Sequence, residues 1–139
     1  MPHQLSFQIK YHFTEIDGGI TIPAGLMADN YTLVCEAKID SGAEYCLFQR
    51  ELAERLNLDV ESGIPVRLKT LAGSLTAYGH SITLETLGLA FESTVLFTAG
   101  YGTKRNILGR NGWLNNLHLA LTMDDEMVYL SHAWSQENL

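Results

Sequence analysis

Two cysteines in 139 residues are too few for a disulfide scaffold or a four-ligand zinc site. Cys35 and Cys46 flank a polar stretch at 40–43 and read as reduced, half-buried thiols. Basic residues are scarce too. Lys and Arg number 9 against 16 Asp and Glu, a net charge of −7, whereas nucleic acid and an anionic membrane surface both demand a basic footprint. Neither is expected as a partner. No run approaches the roughly 18 consecutive apolar residues that a spanning helix needs. Met1-Pro2-His3-Gln4-Leu5 has no charged segment leading into an apolar one, so no secretory signal is expected. The expectation is a soluble, cytoplasmic protein.

Several catalytic signatures are missing as well. There is no His-Glu-x-x-His helix and no Gly-x-Ser-x-Gly elbow, and the cysteines lack a catalytic-histidine context. His3 and His12 fall on the polar phase of their segment and read as surface residues, without His, Asp or Glu at ligand spacing. No metal and no cofactor is expected. No internal repeat or low-complexity linker divides the chain, and a hydrophobic content of 46% suffices for one core, so residues 1–139 are read as a single domain.

What the chain does have is alternation. Leu5, Phe7, Ile9, Tyr11 and Phe13 recur with period two, which predicts a strand with one buried face. Asp17-Gly18-Gly19 breaks it, and Ile20-Thr21-Ile22 predicts a short strand ending at Pro23. After a turn at Ala28-Asp29-Asn30, the residues Tyr31, Leu33, Cys35, Ala37 and Ile39 alternate again. Phe48, Leu52 and Leu56 at i, i+4 and i+8 predict a short amphipathic helix over 48–57. Val66 and Leu68 open a strand, and the small residues around Gly73 predict a hairpin with its tip near Gly73. Ile82 to Leu84 and Leu89 to Phe97 form further strands joined at Thr86-Leu87-Gly88. Lys104-Arg105 reads as solvated surface. Trp113, Leu114 and Leu117 stand at helical spacing, although Gly112 within that stretch disfavours a helix by about 1 kcal/mol relative to alanine. A last hairpin turns at Asp124-Asp125-Glu126, and residues 131–139 read as a loose tail. Short strands with one or two brief helices describe a small, mostly β fold.

The alternating run through Ile39 ends on Asp40-Ser41-Gly42-Ala43. An acid at the end of a buried strand is either solvated in a turn or held for chemistry. Gly42 permits close approach, Ser41 offers a hydroxyl and Ala43 leaves room. An Asp-Ser-Gly turn also occurs as a plain turn, so the tetrapeptide does not decide the matter alone.

Read beside Asn106-Ile107-Leu108-Gly109-Arg110-Asn111, the loop resembles the retropepsin-like aspartic proteases. In that family an Asp-Ser/Thr-Gly-Ala loop follows a strand, a glycine-containing hairpin comes next, and two apolar residues before Gly-Arg-Asn or Gly-Arg-Asp open a short helix. The resemblance is clearest over 31–130. It implies a small closed β-barrel with a flap hairpin, Asp40 as catalytic residue and Ser41, Gly42 and Ala43 as its loop. It further implies Leu71, Ala72, Gly73 and Ser74 as the flap that covers bound polypeptide. Glu44, Ile107, Leu108, Gly109 and Arg110 would support the site, with Arg110 clamping Glu44 in an ion pair.

Such chemistry uses two carboxylates close enough to share a proton, because like charges at about 3 Å cannot both ionise. One activates water while the other protonates the peptide carbonyl, with no covalent intermediate. No second Asp is followed by Ser/Thr-Gly in this chain, so the other carboxylate must come from a second copy across a two-fold axis. The expectation is a homodimeric aspartic endopeptidase. The alternative is an inactive peptide-binding or assembly module on the same fold, against which retention of Asp40-Ser41-Gly42 weighs.

Overall fold

The computed structural model describes residues 1–133. The strands are β1 (Ile9–His12), β2 (Thr14–Ile16), β3 (Gly19–Ala28), β4 (Tyr31–Ile39), β5 (Leu47–Phe48), β6 (Ile64–Thr70), β7 (Gly73–Thr86), β8 (Leu89–Thr98), β9 (Asn106–Leu108), β10 (Leu117–Thr122) and β11 (Met127–His132). One α-helix, α1 (Arg50–Arg55), and two 3₁₀ turns, Val60–Ser62 and Leu114–Asn116, complete the elements among the described residues. The fold is mostly β, as the alternation predicts. No helix among the described residues is long and apolar enough to cross a membrane.

Two sheets form. In the smaller, β11 lies between β1 and β10; in the larger the order is β2-β3-β4-β9-β5-β8-β7-β6, with β3 also pairing with β7. The period-two residues set the registers. Leu33 and Ala37 of β4 are buried while Val34 is 66% exposed, so one phase of the strand faces the core and the other solvent. The β7–β8 turn needs a left-handed backbone at both central residues, Leu87 (φ 52°) and Gly88 (φ 92°). At the core, Trp113 is fully buried, and its indole N–H donates to the Thr86 hydroxyl at 2.9 Å.

Several elements depart from the sequence expectations. The first strand covers only Ile9–His12, and Leu5 is exposed. The strand expected to stop at Pro23 runs on to Ala28. On the edge of β3 away from β4, β2 pairs only through Thr21 and β7 only from Gly25, so no neighbour on that side lacks a donor at Pro23. Phe48 belongs to β5 and pairs in parallel with Phe97, leaving α1 shorter than the 48–57 expected. β7 is continuous from Gly73 to Thr86, merging the hairpin arm with the strand expected at 82–84. The helix expected after Gly109 is absent: Gly112 takes φ 101°, outside the helical region, and only the 3₁₀ turn Leu114–Asn116 follows. β11 extends to His132, so the expected tail is ordered at its start, while residues 134–139 of it lie outside the described residues.

Candidate active site

Asp40 follows β4 directly, and two strands fix its backbone. β4 runs parallel to β9 with Ile39 opposite Leu108, and the Asp40 N–H donates to the Leu108 carbonyl at 3.0 Å. The loop then folds on itself. Ala43 N–H donates to the Asp40 carbonyl at 3.1 Å, and Gly42 N–H donates to Asp40 Oδ1 at 3.0 Å. The second bond holds the carboxylate against its own loop. Ser41 and Gly42 are exposed and Asp40 is half-buried. Among the described residues the Ser41 hydroxyl has no partner.

The segment after the loop is held by the residues around Gly109. Arg110 N–H donates to the Ala43 carbonyl at 2.9 Å, Asn111 N–H to the Glu44 carbonyl at 2.8 Å, and Cys46 N–H to the Asn111 carbonyl at 3.3 Å. Gly109 is what lets these backbones meet. A Cβ there would lie 2.2 Å from the Tyr45 carbonyl oxygen and 2.9 Å from that of Ala43. Both are backbone atoms that cannot rotate away. Gly109→Ala is therefore expected to destabilise the protein by about 2 kcal/mol or more, as overpacking of a filled site does. Urea denaturation would read this as a lowered midpoint, and an unchanged midpoint would contradict the packing.

Glu44 and Arg110 support the loop in a different way from the one expected. Both are exposed, and among the described residues they form no ion pair. The guanidinium instead donates through Nη1 to the Ser41 carbonyl at 3.3 Å, and Glu44 contributes its backbone carbonyl. The backbone bonds already fix the segment, and an exposed pair gains little over hydration. Glu44→Gln is accordingly expected to leave stability within about 0.5 kcal/mol of wild type. A loss of several degrees in Tm would restore the clamp.

A groove of about 670 Å³ lies beside the loop, with Asp40, Gly42 and Tyr45 on one wall and Val66 and Leu68 of β6 on the other. Ile107 and Arg110 also reach it. The β6–β7 hairpin leaves Leu71 and Ala72 as its two turn residues, since Thr70 pairs with Gly73. Leu71 is fully exposed, and Gly73 takes φ 120°. The turn thus precedes Gly73, and the groove is lined by β6 up to Thr70 and not by Leu71, Ala72, Gly73 or Ser74. Val66 and Leu68 were legible only as an alternating pair; nothing in their spacing tied them to Asp40.

Other chemistries have little to work with here. Burial pushes the Cys46 thiol up to about 12, although the Gly109 backbone opposes this, and burial with Glu36 nearby pushes Cys35 up to about 12. Neither is a nucleophile near neutral pH. Among the described residues no three His, Cys, Asp or Glu side chains gather as a metal site.

The aspartyl protease family model matches residues 27–111, a span that includes the loop at Asp40, the β6–β7 hairpin and the Gly109-Arg110-Asn111 segment. No curated protein matches the chain. Among solved structures, a retropepsin-like aspartic protease from Rickettsia conorii is similar with a TM-score of 0.64 and 18% identity, over 87% of this chain and 96% of the other. At that identity the likeness carries the fold.

Proposed function

The chain belongs to the aspartyl protease family, and on that premise we propose that it is an aspartic endopeptidase whose site forms between the Asp40 carboxylates of two identical copies. The observation that carries this reading is the presentation of Asp40: a half-buried carboxylate on a hydrogen-bonded Asp-Ser-Gly loop, at the wall of a groove beside the β6–β7 hairpin. A single chain offers one such carboxylate. Ser41, exposed beside it with its hydroxyl unpartnered among the described residues, is available to a second copy.

In this mechanism one Asp40 is ionised and takes a proton from water, which attacks the peptide carbonyl. The other is protonated and donates to the carbonyl oxygen, and the roles reverse as the amine leaves. The Gly42 N–H orients the carboxylate, while β4 and β9 hold its backbone. An extended polypeptide would lie in the groove along β6, with Leu71, Ala72, Gly73 and Ser74 closing over it as a flap. The pairing of β3 with both β4 and β7 supports reading the larger sheet as a barrel, and we read residues 1–139 as one domain of this type. The free thiols suit a reducing compartment, hence a cytoplasmic location.

The test is incubation of wild type with an unbiased peptide library between about pH 3 and 7, with products identified by mass spectrometry. Internal cleavage of peptides is the expected result. An intact library bound but uncut would instead make the protein a peptide-binding module.

A further inference from the structure

A second cavity, of about 360 Å³, concentrates positive charge in a protein that has little of it. Lys38, Arg55, Lys104 and Arg105 line it, four of the chain's 9 basic residues, whereas only Asp17 and Glu36 of its 16 acids do so. They come from β4, the end of α1 and the loop before β9, so the folded chain assembles them from three separated segments. Lys104-Arg105, a solvated spot by sequence, is part of this cluster.

Within the described residues these charges are not answered by ion pairs. Arg105 donates to the backbone carbonyl of Asp17, not to its carboxylate. The acids leave the basic groups a local excess, and like charges gathered around one concavity repel unless an anion joins them. The neutral wall is already satisfied: Asn106 donates to the Glu36 carbonyl at 3.2 Å and accepts from Gln49 N–H at 3.0 Å, and Gln49 Nε2 donates to the Thr103 carbonyl at 2.6 Å. What remains available is the Arg55 guanidinium, the part of the Arg105 guanidinium that does not donate to Asp17, and two ammonium groups.

We propose that this cavity binds a small molecule carrying two or more phosphoryl groups. Guanidinium forks engage phosphate oxygens in pairs, and lysine ammonium groups neutralise the remaining charge. The volume falls within the range of about 300–1,000 Å³ usual for small-ligand sites. It is separate from the groove at Asp40, none of whose lining residues it shares.

Isothermal titration calorimetry of the full chain at low salt tests this, with sodium pyrophosphate in one arm and ATP in the other. Saturable binding of one ligand per chain is expected in at least one arm, weakening as salt rises. Pyrophosphate alone would identify a short inorganic chain, ATP alone a nucleotide, and both together a site that reads phosphoryl groups only. The variant Lys38→Glu/Lys104→Glu, which leaves the Arg105 anchor intact, should bind at least tenfold more weakly while melting as wild type. No saturable heat in either arm, or equal affinity in wild type and variant, would overturn the proposal.

Discussion

Replacing Asp40 with asparagine is expected to lower peptide cleavage by about a thousandfold or more. Proton transfer by a positioned side chain typically accounts for about 10²–10⁴-fold, and here one residue type serves as both acid and base. The amide has nearly the same shape and keeps an oxygen to accept the Gly42 N–H, which donates to Oδ1 at 3.0 Å in the wild-type loop. The backbone bonds from Asp40 to Leu108 and from Ala43 to Asp40 do not involve the side chain. Loss of activity should therefore come with an unchanged melting temperature. Wild-type activity in the variant would remove Asp40 from the chemistry. Lost activity with a lowered melting temperature would point to the loop's structure instead.

Specific activity should also collapse on dilution. If each copy holds one carboxylate, a monomer has folded strands and a groove but half the catalytic pair. Well below the dimer dissociation constant the dimer concentration scales with the square of total protein, so activity per mole falls about tenfold for each tenfold dilution. Cleavage rate and light-scattering mass, measured over one dilution series, should fall together. A monodisperse monomer that cleaves at constant specific activity would place the second carboxylate within the chain.

Local periodicity made the strand leading to the site legible. Tyr31 to Ile39 alternate, one face is buried, and Asp40 falls where the strand ends. The hairpin at 124–126 was legible for the same reason. Phe48 was misread because its spacing to Leu52 and Leu56 fits a helix equally well, and only its pairing with Phe97, far along the chain, makes it a strand residue. Gly112 broke the expected helix through a backbone angle that spacing does not record. The Glu44–Arg110 clamp failed because matching two motifs gives proximity of segments without the direction of side chains; here the backbones meet, but the Arg110 guanidinium donates to the Ser41 carbonyl and forms no ion pair with the exposed Glu44. The cationic cavity was invisible for a related reason. Its four basic residues lie on segments that only the fold brings together.

The shared site itself is tested most directly by mixing subunits. Wild type and Asp40→Asn chains, combined in varying ratio at constant total concentration and left to exchange, would populate wild-type, mixed and variant dimers in statistical proportion. A mixed dimer holds one carboxylate and should be inert. Activity would then follow the square of the wild-type fraction, about a quarter of full activity at an equal mixture. A straight line through about one half would mean that each chain works alone, and the two-copy site would be wrong.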